Sequence, residues 1–239
     1  MTNRISIVIP MLNEADNITS VLQHVLDSLY SKNNVEIFVI DGGSSDGSDK
    51  LVLDFKSTFP LQEIPITLLS SEKGRAKQMN LGAKNASGNI LYFLHADSFP
   101  PKNFDQLIIN EVSRGHLAGC FQLQFDSNHW WLRLAGWLTH FKWRACRGGD
   151  QSQFITKKLF NDIGGFDESF TIYEDNILIN ELYNRKEFVV IQDKIKTSAR
   201  LYEKHGIWTL QYHFWTIYVK KWLGATPDSL YNYYQKHIS

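Results

Sequence analysis

Acidic and amide side chains follow several apolar runs of this 239-residue chain, each at the point where its run ends. The residues concerned are Asn13, Glu14, Asp41 and Asp97. Carboxylate oxygens are the ligands that Mg²⁺ and Mn²⁺ prefer, and a cation held in this way neutralises a diphosphate. Each residue alone is also explained by an ordinary turn, where Asp and Asn are common. Taken together, they predict a site for a phosphate-bearing ligand.

Two common phosphate-binding motifs are absent from the sequence. Neither the dinucleotide pattern GxGxxG nor the P-loop pattern GxxxxGK[ST] occurs. A carboxylate-held cation is therefore the alternative route to a phosphate-bearing ligand. Asp97 is the predicted ligand, because it ends an apolar run that we expect to be buried; the other interpretation is a solvated side chain.

The elements that must position these residues alternate between strand and helix in the first half of the chain. Apolar runs predict strands at 5–9, 35–40, 66–69 and 90–94. The alternation is typical of a parallel sheet covered by helices, whose ligand crevice lies at the carboxyl ends of the strands. Within it, Asn13 is predicted to cap the first helix and Pro60 to end the second.

The regular alternation weakens in the second half. A strand is predicted near 118–125 and a helix at about 171–185, starting from Tyr173-Glu174-Asp175. Trp208, Tyr212, Trp215, Val219 and Trp222 recur at three- and four-residue spacing, which predicts an amphipathic helix, and Pro227 is predicted to open a last short helix.

Composition and charge exclude several classes of protein. The chain has 25 Lys and Arg against 25 Asp and Glu, which argues against a protein that coats nucleic acid. No apolar stretch is long enough to span a bilayer, and the run at 5–9 is too short for a signal peptide. Two cysteines do not make a disulfide scaffold and lack metal-binding spacing. We therefore expect a cytoplasmic protein.

Six motifs in order resemble those of the family 2 inverting glycosyltransferases, which have the GT-A fold. They are Pro10-Met11-Leu12-Asn13-Glu14, Asp41-Gly42-Gly43-Ser44-Ser45-Asp46-Gly47-Ser48, Gly74-Arg75-Ala76 with Gln78-Met79-Asn80, Leu94-His95-Ala96-Asp97, Gly164-Gly165-Phe166-Asp167 and Tyr173-Glu174-Asp175. The third and fourth motifs, with Gly148-Gly149-Asp150-Gln151, are similar to a small bacterial subgroup associated with radical-SAM and selenium-domain proteins or with arsenosugar biosynthesis. The resemblance extends from about Ile5 to Arg200.

The resemblance implies both architecture and activity. The expected fold is α/β, a Rossmann-like, mostly parallel sheet flanked by helices, with a C-terminal helical appendage. Residues 1–200 would form the GT-A domain, divided into a nucleotide-sugar half at 1–125 and an acceptor half at 126–200, and 201–239 the helical segment. The implied reaction moves a sugar from a nucleoside-diphosphate donor to a hydroxyl acceptor, with Mn²⁺ or Mg²⁺ assisting departure of the diphosphate.

The resemblance also assigns the donor site. Glu14 is expected near the ribose and Asp41 toward the base, while the guanidinium of Arg75 suits the geometry of a phosphate. The full set of expected donor residues is Pro10, Asn13, Glu14, Asp41, Gly43, Arg75, His95 and Ala96.

The family's metal motif is Asp-x-Asp, but this chain has His95-Ala96-Asp97 in its place. The substitution removes a negative charge that helps to hold the sugar nucleotide, and it leaves Asp97 as the expected metal ligand. His95 is either a hydrogen-bond partner of the donor or a structural residue.

In the same family, the Asp of a Glu-Asp pair is the general base, which corresponds here to Asp175 beside Glu174. An acidic pair at a helix N-terminus is also favourable with the helix dipole in any protein. The Gly148–Gln151 loop suggests Asp150 and Gln151 near the acceptor and Arg147 near the diphosphate. The alternative for this loop is an ordinary tight turn.

Two aromatic stretches have several interpretations. The stretch from Trp130 to Phe141, interleaved with Lys and Arg, suits an acceptor platform, a membrane-surface helix, core packing or a homodimer contact. The stripe from Trp208 to Trp222 is expected to be core or a subunit contact. Two rival functions stay open, a nucleotidyltransferase that releases pyrophosphate and a binding or membrane-peripheral module without turnover.

Overall fold

The computed structural model describes residues 3–31, 34–58 and 64–238. These residues form one eight-stranded sheet with helices on both faces. The strands are β1 (Ile5–Met11), β2 (Val35–Asp41), β3 (Ile66–Ser70), β4 (Ile90–Phe93), β5 (Ser98–Phe99), β6 (Ala118–Phe125), β7 (Gln153–Thr156) and β8 (Val189–Thr197). The helices are α1 (Ile18–Ser28), α2 (Ser48–Thr58), α3 (Arg75–Asn85), α4 (Phe104–Ser113), α5 (Trp130–Leu138), α6 (Lys157–Ile163), α7 (Glu174–Asn184), α8 (Arg200–His205), α9 (Ile207–Trp222) and α10 (Pro227–His237).

The sheet has the strand order β3-β2-β1-β4-β7-β6-β8-β5. Its first four strands are parallel, as the sequence predicts. Strand β7 then runs antiparallel to both β4 and β6, and β8 returns parallel to β6. The result is a mostly parallel mixed sheet whose antiparallel part joins the two halves of the chain.

Alternating side chains divide the core between the two faces of the sheet. On β1, Ile7 packs with α1 and α4, whereas Val8 packs with α3 on the other face. Helix α3 comes very close to the sheet at Gly82, where a β-carbon would lie 3.0 Å from Cγ2 of Val8 and closer still to Cγ1. This close packing sets α3, and therefore Arg75 at its start, against the ends of β1 and β2.

The C-terminal helices form a third cluster, built around Leu210, Ile217 and Leu230 with Phe170. The side of α9 that it buries carries Leu210, Phe214 and Ile217. The expectation that the Trp208–Trp222 stripe is core is wrong, because its five members stay exposed on the opposite side of the helix. An amphipathic spacing identifies an apolar stripe, but α9 has two.

Several local expectations are confirmed and one is corrected. Helices α7, α9 and α10 lie where the sequence predicts them, and α10 begins at Pro227. Asn13 is not a helix cap, since α1 begins at Ile18 and Asn13 lies in a left-handed turn with φ of 55°. Pro60 lies outside the described residues. Both cysteines are free thiols.

Candidate active site

The loops that follow β1 and β2 hold each other in place at the carboxyl edge of the sheet. The amide of Asn13 donates to Ser44 Oγ at 2.9 Å, and the amide of Ser45 donates back to Asn13 Oδ1 at 2.8 Å. The amide of Glu14 donates to Ser48 Oγ at 2.8 Å. Asn13 thus contributes to the shape of the loops after β1 and β2, and the half-buried Pro10 lies just before the turn, within β1.

Asp41 is buried at the end of β2, and its carboxylate accepts hydrogen bonds from its own loop. The donors are the amide of Gly43 at 3.3 Å and, from Ser44, the amide at 3.1 Å and Oγ at 2.6 Å. Gly43 has a φ of 90°, a conformation that glycine adopts without strain. The sequence predicts Asp41 at a nucleotide base, whereas the contacts present in this structure order the loop.

Arg75 lies at the start of α3, beside the acidic pair of α7. Its Nη1 is 3.5 Å from Glu174 Oε1 and 3.5 Å from Asp175 Oδ2. Helix α3 begins at Arg75 and helix α7 at Glu174, so two helix starts meet at this point. The guanidinium remains about half exposed, which leaves donors free for a ligand in the crevice.

Burial raises the pKa of both acids of the α7 pair, and the charge of Arg75 opposes this rise. Mutual repulsion between Glu174 and Asp175 raises the pKa of Glu174 further. Glu174 Oε1 is buried without a hydrogen-bond donor among the described residues. The arrangement yields a desolvated carboxylate pair whose ionisation depends on one neighbouring cation.

The glycine-rich loop before β7 lies directly against Asp175. A β-carbon at Gly149 would lie 2.8 Å from Cγ of Asp175 and closer still to Oδ2. Gly149 begins a short 3-10 turn, Gly149–Gln151, that contacts β6 and β8. The absence of a side chain at this position therefore creates the space that the Asp175 carboxylate occupies.

Asp97 lies in an electronegative part of the crevice. Burial raises its pKa to about 6, and the charges of Asp150 and Glu14 add to the rise. Asp150 lies exposed on the glycine-rich loop, so the loop and the end of β4 share this part of the site. Beside them, burial and the charge of Arg75 lower the pKa of His95 to about 3. The imidazole is therefore neutral, with one donor and one acceptor nitrogen.

Arg200 is a site residue that the sequence analysis missed. Its guanidinium pairs with both oxygens of Glu14, with Nη1 at 2.8 Å from Oε2 and Nη2 bonded to Oε1, and Nη2 lies 3.5 Å from Asp97 Oδ2. Glu14 and Arg200 are 186 positions apart. No local pattern marks Arg200, because the start of α8 meets Glu14 and Asp97 only in the folded chain.

Arg147 and Gln151 differ from their predicted roles. Arg147 is buried, and its guanidinium donates to Thr139 O at 2.5 Å, Phe141 O at 2.7 Å and Gln151 Oε1 at 2.7 Å. Gln151 Nε2 in turn donates to Cys146 O at 2.6 Å. These groups bond to the chain itself, so Arg147 holds the loop from behind and does not face the crevice, where a diphosphate was expected beside it.

The C-terminal segment also borders the site. Tyr218 Oη donates to Asn176 Oδ1 on α7 at 3.4 Å, and its ring contacts that of Tyr173 with centroids 5.3 Å apart. Tyr234 on α10 interacts electrostatically with Arg75 and Glu174. The segment 201–238 is therefore a wall of the crevice as well as a helical appendage.

The carboxylate oxygens of the crevice would suit a divalent cation whose remaining coordination positions are filled by a bound ligand. Across 3–31, 34–58 and 64–238, no group of three or more His, Cys, Asp or Glu side chains could hold a metal ion. Five carboxylates face only two guanidinium groups, however, and the carboxylates are Glu14, Asp97, Asp150, Glu174 and Asp175. A cation bound through one carboxylate, phosphate oxygens and water suits Mg²⁺ chemistry and relieves the repulsion at Asp97.

No helix in the described part of the chain has the length and apolar character needed to cross a membrane.

Comparisons with known proteins agree on the family. The model of glycosyl transferase family 2 matches residues 6–178. The chain is 25% identical over 198 residues to the probable glycosyltransferase YdaM of Bacillus subtilis, which covers 76% of this chain and 47% of that protein. It is 32% identical over 109 residues to glycosyltransferase AglE of Haloferax volcanii, covering 46% of this chain and 35% of that protein.

Solved structures agree on the fold. Mannosyltransferase PcManGT of Pyrobaculum calidifontis, in complex with GDP-Man and Mn²⁺, superposes with a TM-score of 0.67 and 18% identity over 91% of this chain and 61% of its own. Residues 1–349 of S. aureus TarS, in complex with UDP, superpose with a TM-score of 0.64 and 16% identity over 82% of this chain and 60% of that one. The chain spans about a third to a half of the length of the two sequence relatives above. With its family match over 6–178 and its mixed sheet, the chain belongs to glycosyl transferase family 2 and has the GT-A fold.

Proposed function

We propose that this protein transfers a sugar from a nucleoside-diphosphate donor to a hydroxyl acceptor, with inversion at the anomeric carbon. The observation that carries the proposal is the position of Asp175, a buried carboxylate with a raised pKa at the start of α7, enclosed by Gly149 and Arg75. Membership of family 2 supports sugar transfer as the reaction.

Asp175 is the general base in this mechanism. One of its carboxylate oxygens takes the proton of the acceptor hydroxyl while the acceptor oxygen attacks the anomeric carbon. The bond from that carbon to the diphosphate breaks on the opposite face, and the nucleoside diphosphate leaves with the electron pair. Burial raises the pKa of the carboxyl and makes the carboxylate more basic, whereas the charge of Arg75 lowers the pKa and favours the ionised form.

The donor would lie along the loops after β1, β2 and β4. Asp97 is the residue that would hold Mn²⁺ or Mg²⁺, with Asp150 and Glu14 contributing negative charge around it. A bound cation would supply charge neutralisation for the departing diphosphate. Neutral His95 offers a hydrogen bond to the donor in place of the missing acid, and the exposed part of Arg75 faces a phosphate.

Substrate, subgroup and organisation follow as parts of the same proposal. The structural relatives crystallised with UDP and with GDP-Man support a nucleotide sugar as donor. The Gly-Arg-Ala and Leu-His-Ala-Asp motifs support the subgroup associated with radical-SAM and selenium-domain proteins or arsenosugar biosynthesis. Residues 1–125 would hold the donor and residues 126–200 the acceptor. We place the reaction in the cytoplasm.

A donor panel tests the proposal. UDP-, GDP-, CDP- and dTDP-sugars are incubated with the protein, Mn²⁺ and simple hydroxyl acceptors, and the products are followed by nucleotide chromatography and NMR of the anomeric proton. We expect a nucleoside diphosphate and a glycoside of inverted configuration. Asp175→Asn should lower turnover at least about a hundredfold while leaving the nucleotide-induced rise in melting temperature intact.

Three results would count against the proposal. Release of pyrophosphate would indicate a nucleotidyltransferase, a retained anomeric configuration would contradict inversion, and full activity of Asp175→Asn would remove the proposed base. Asp193→Asn, a change at an exposed carboxylate on β8, serves as the matched control and should behave as the wild type.

A further inference from the structure

Helix α9 carries a second apolar stripe that no part of the described chain covers fully. Its members are Trp208, Tyr212, Trp215, Val219 and Trp222, spaced four and three residues apart. At about 3.6 residues per turn they share one side of the helix, opposite the buried Leu210 and Ile217. Trp208 is 53% exposed, Trp215 50% and Trp222 84%. The helix therefore has one face for the protein and another for solvent or a partner.

Helix α5 extends this surface. The ring of Trp130 lies 5.9 Å from that of Trp208, and the ring of Trp131 lies 6.2 Å from that of Trp215. Beyond them, Trp130, Leu134 and Trp137 are exposed on α5, and the ring chain Trp137, Phe141, Trp143 continues the surface. We call the exposed aromatic residues of 130–143 and of the α9 stripe the aromatic face.

The aromatic face contains six of the seven tryptophans of the chain, and the seventh, Trp131, is partly buried beneath it. All seven lie between Trp130 and Trp222, and six of them are at least half exposed. Tryptophan is ordinarily among the more buried side chains, and large exposed apolar patches on proteins mark binding surfaces. Solvent exposure of a single tryptophan would be unremarkable, but five exposed tryptophans on two contacting helices, with Trp143 after α5 as a sixth, form a surface.

The charge of the segments that carry the aromatic face indicates which kind of partner it binds. Segments 129–149 and 207–223 together contain six Lys and Arg and no Asp or Glu, in a chain whose totals are 25 and 25. Arg144 and Arg147 are bonded within the protein, whereas Arg133 and Lys142 are exposed. Lys220 and Lys221 are half-buried at the end of α9, where their ammonium groups lie over the rings of Tyr233 and Phe170. In a two-fold contact with a second copy of the chain, the same patch of both copies would meet, and these cations would repel their counterparts.

We infer that the aromatic face docks the protein on an anionic lipid bilayer. Tryptophan rings bind at the boundary between headgroups and acyl chains, where one part of the indole is apolar and its N–H finds a polar partner. Lys and Arg beside such rings are attracted by anionic headgroups. Docking is peripheral, since the described helices are too short or too polar to span the bilayer. The inference is independent of the proposed sugar transfer.

Vesicle binding tests the inference on the full chain. The protein is mixed with sedimentable vesicles of phosphatidylcholine alone, or of phosphatidylcholine and phosphatidylglycerol in equal parts, and the bound fraction is measured. Six of the seven tryptophans belong to the aromatic face and the seventh contacts it, so tryptophan emission reports on this face directly. We expect binding to the anionic vesicles, a blue shift of the emission and protection from iodide quenching, all weakened by added salt.

Matched variants separate the two contributions of the aromatic face. Trp222→Ser with Leu223→Ser removes the two most exposed apolar side chains at the end of α9, and should weaken binding and reduce the blue shift of the tryptophans that remain. Lys220→Gln with Lys221→Gln should weaken binding by about fivefold per lysine. Tyr30→Ser, and Lys50→Gln with Lys84→Gln, change exposed residues elsewhere to the same extent and should bind as the wild type.

Other outcomes would overturn the inference. Absence of binding to anionic vesicles at low salt would do so. Equal binding to both vesicle types would show that the aromatic face does not recognise anionic headgroups. Equal losses of binding in the Lys220/Lys221 and Lys50/Lys84 variants would show the same. A stable dimer by light scattering, with its tryptophans already protected from iodide, would make a second copy the partner instead.

Discussion

The α-carbon of Gly149 faces the carboxylate of Asp175 so closely that a β-carbon at residue 149 would lie 2.8 Å from Asp175 Cγ. The two residues come from different elements, a 3-10 turn before β7 and the first turn of α7. Gly149 does not have a left-handed backbone, so the requirement for glycine comes from space and not from φ. The neighbouring Gly148 faces open space instead.

Gly149→Ala should therefore displace the Asp175 carboxylate and lower kcat by about a hundredfold, since a misplacement of about 1 Å costs that much in a positioned catalytic group. The matched change Gly148→Ala adds the same methyl group where no atom lies within 4 Å, in extended backbone, and should retain wild-type kcat. Steady-state kinetics at saturating donor measure both. Equal effects of the two substitutions would show that Gly149 acts through loop stiffness.

Arg75 controls the ionisation of Asp175. Its charge lowers the pKa of that carboxyl against the effect of burial, so Arg75→Gln should raise the pKa. A base works only when deprotonated, and the acidic limb of the kcat profile should move to higher pH. Arg75→Lys keeps a charge and should shift the limb less. Lys77→Gln removes a cation from the same helix that pairs with Glu72, and should leave the profile unchanged.

Asp97 should destabilise the fold at neutral pH. Its pKa is raised from 3.8 to about 6 in the folded protein, so the folded state holds this proton more tightly than the unfolded chain. That contribution is complete below pH 3.8 and is lost as pH rises through about 6. Asp97→Asn, which mimics the protonated form, should be more stable than the wild type at pH 7 by up to about 3 kcal/mol.

Urea unfolding at several pH values measures this difference, which should shrink toward zero in acid. A constant difference between Asp97→Asn and the wild type at all pH values would contradict the raised pKa. Asp54→Asn, at an exposed carboxylate on α2, is the control. Mn²⁺ together with the cognate nucleoside diphosphate should stabilise the wild type and not Asp97→Asn.

Arg147 should matter for folding and not for donor binding. Arg147→Gln leaves the carbonyls of Thr139 and Phe141 and the amide oxygen of Gln151 without their buried donor, and should lower the free energy of unfolding by about 2 to 4 kcal/mol. The donor KM of the folded fraction should stay unchanged. A raised donor KM with an unchanged free energy of unfolding would indicate instead that Arg147 binds the diphosphate. Arg133→Gln, on the surface of α5, is the matched control.

Much of the donor half could be predicted from sequence because its signals are local. The strands at 5–9, 35–40 and 66–69 extend by at most two residues beyond the predicted bounds, since continuous apolar runs suit a sheet covered on both faces. Strands β7 and β8 were not predicted. Gln153–Thr156 is short, and Val189–Thr197 has exposed Lys and Asp in its middle, so neither has a clear apolar pattern.

The candidate site, like the sheet, has some residues that local sequence patterns predict and others that they do not. Acids at strand ends are local features that predict Asp97, whereas Asp175 is predicted from the resemblance of Glu174-Asp175 to the acidic pair of the family. The pairing of Arg200 with Glu14 and Asp97 has no local signature, because a hydrogen bond across 186 positions depends on where α8 packs. Arg147 shows the converse, a basic residue beside a candidate loop whose donors all turn inward.

By itself, the sequence determined the alternation of strands and helices from β1 to β4, the glycines and acids at the strand ends and the presence of an amphipathic pattern in α9, since these follow from the conformational and hydrophobic preferences of neighbouring residues. The tertiary structure alone decided which of the two apolar stripes on α9 is buried and which carboxylates pair with the same arginine. Both depend on what packs against a residue from distant parts of the chain, and burial and charge act through space without regard to chain order.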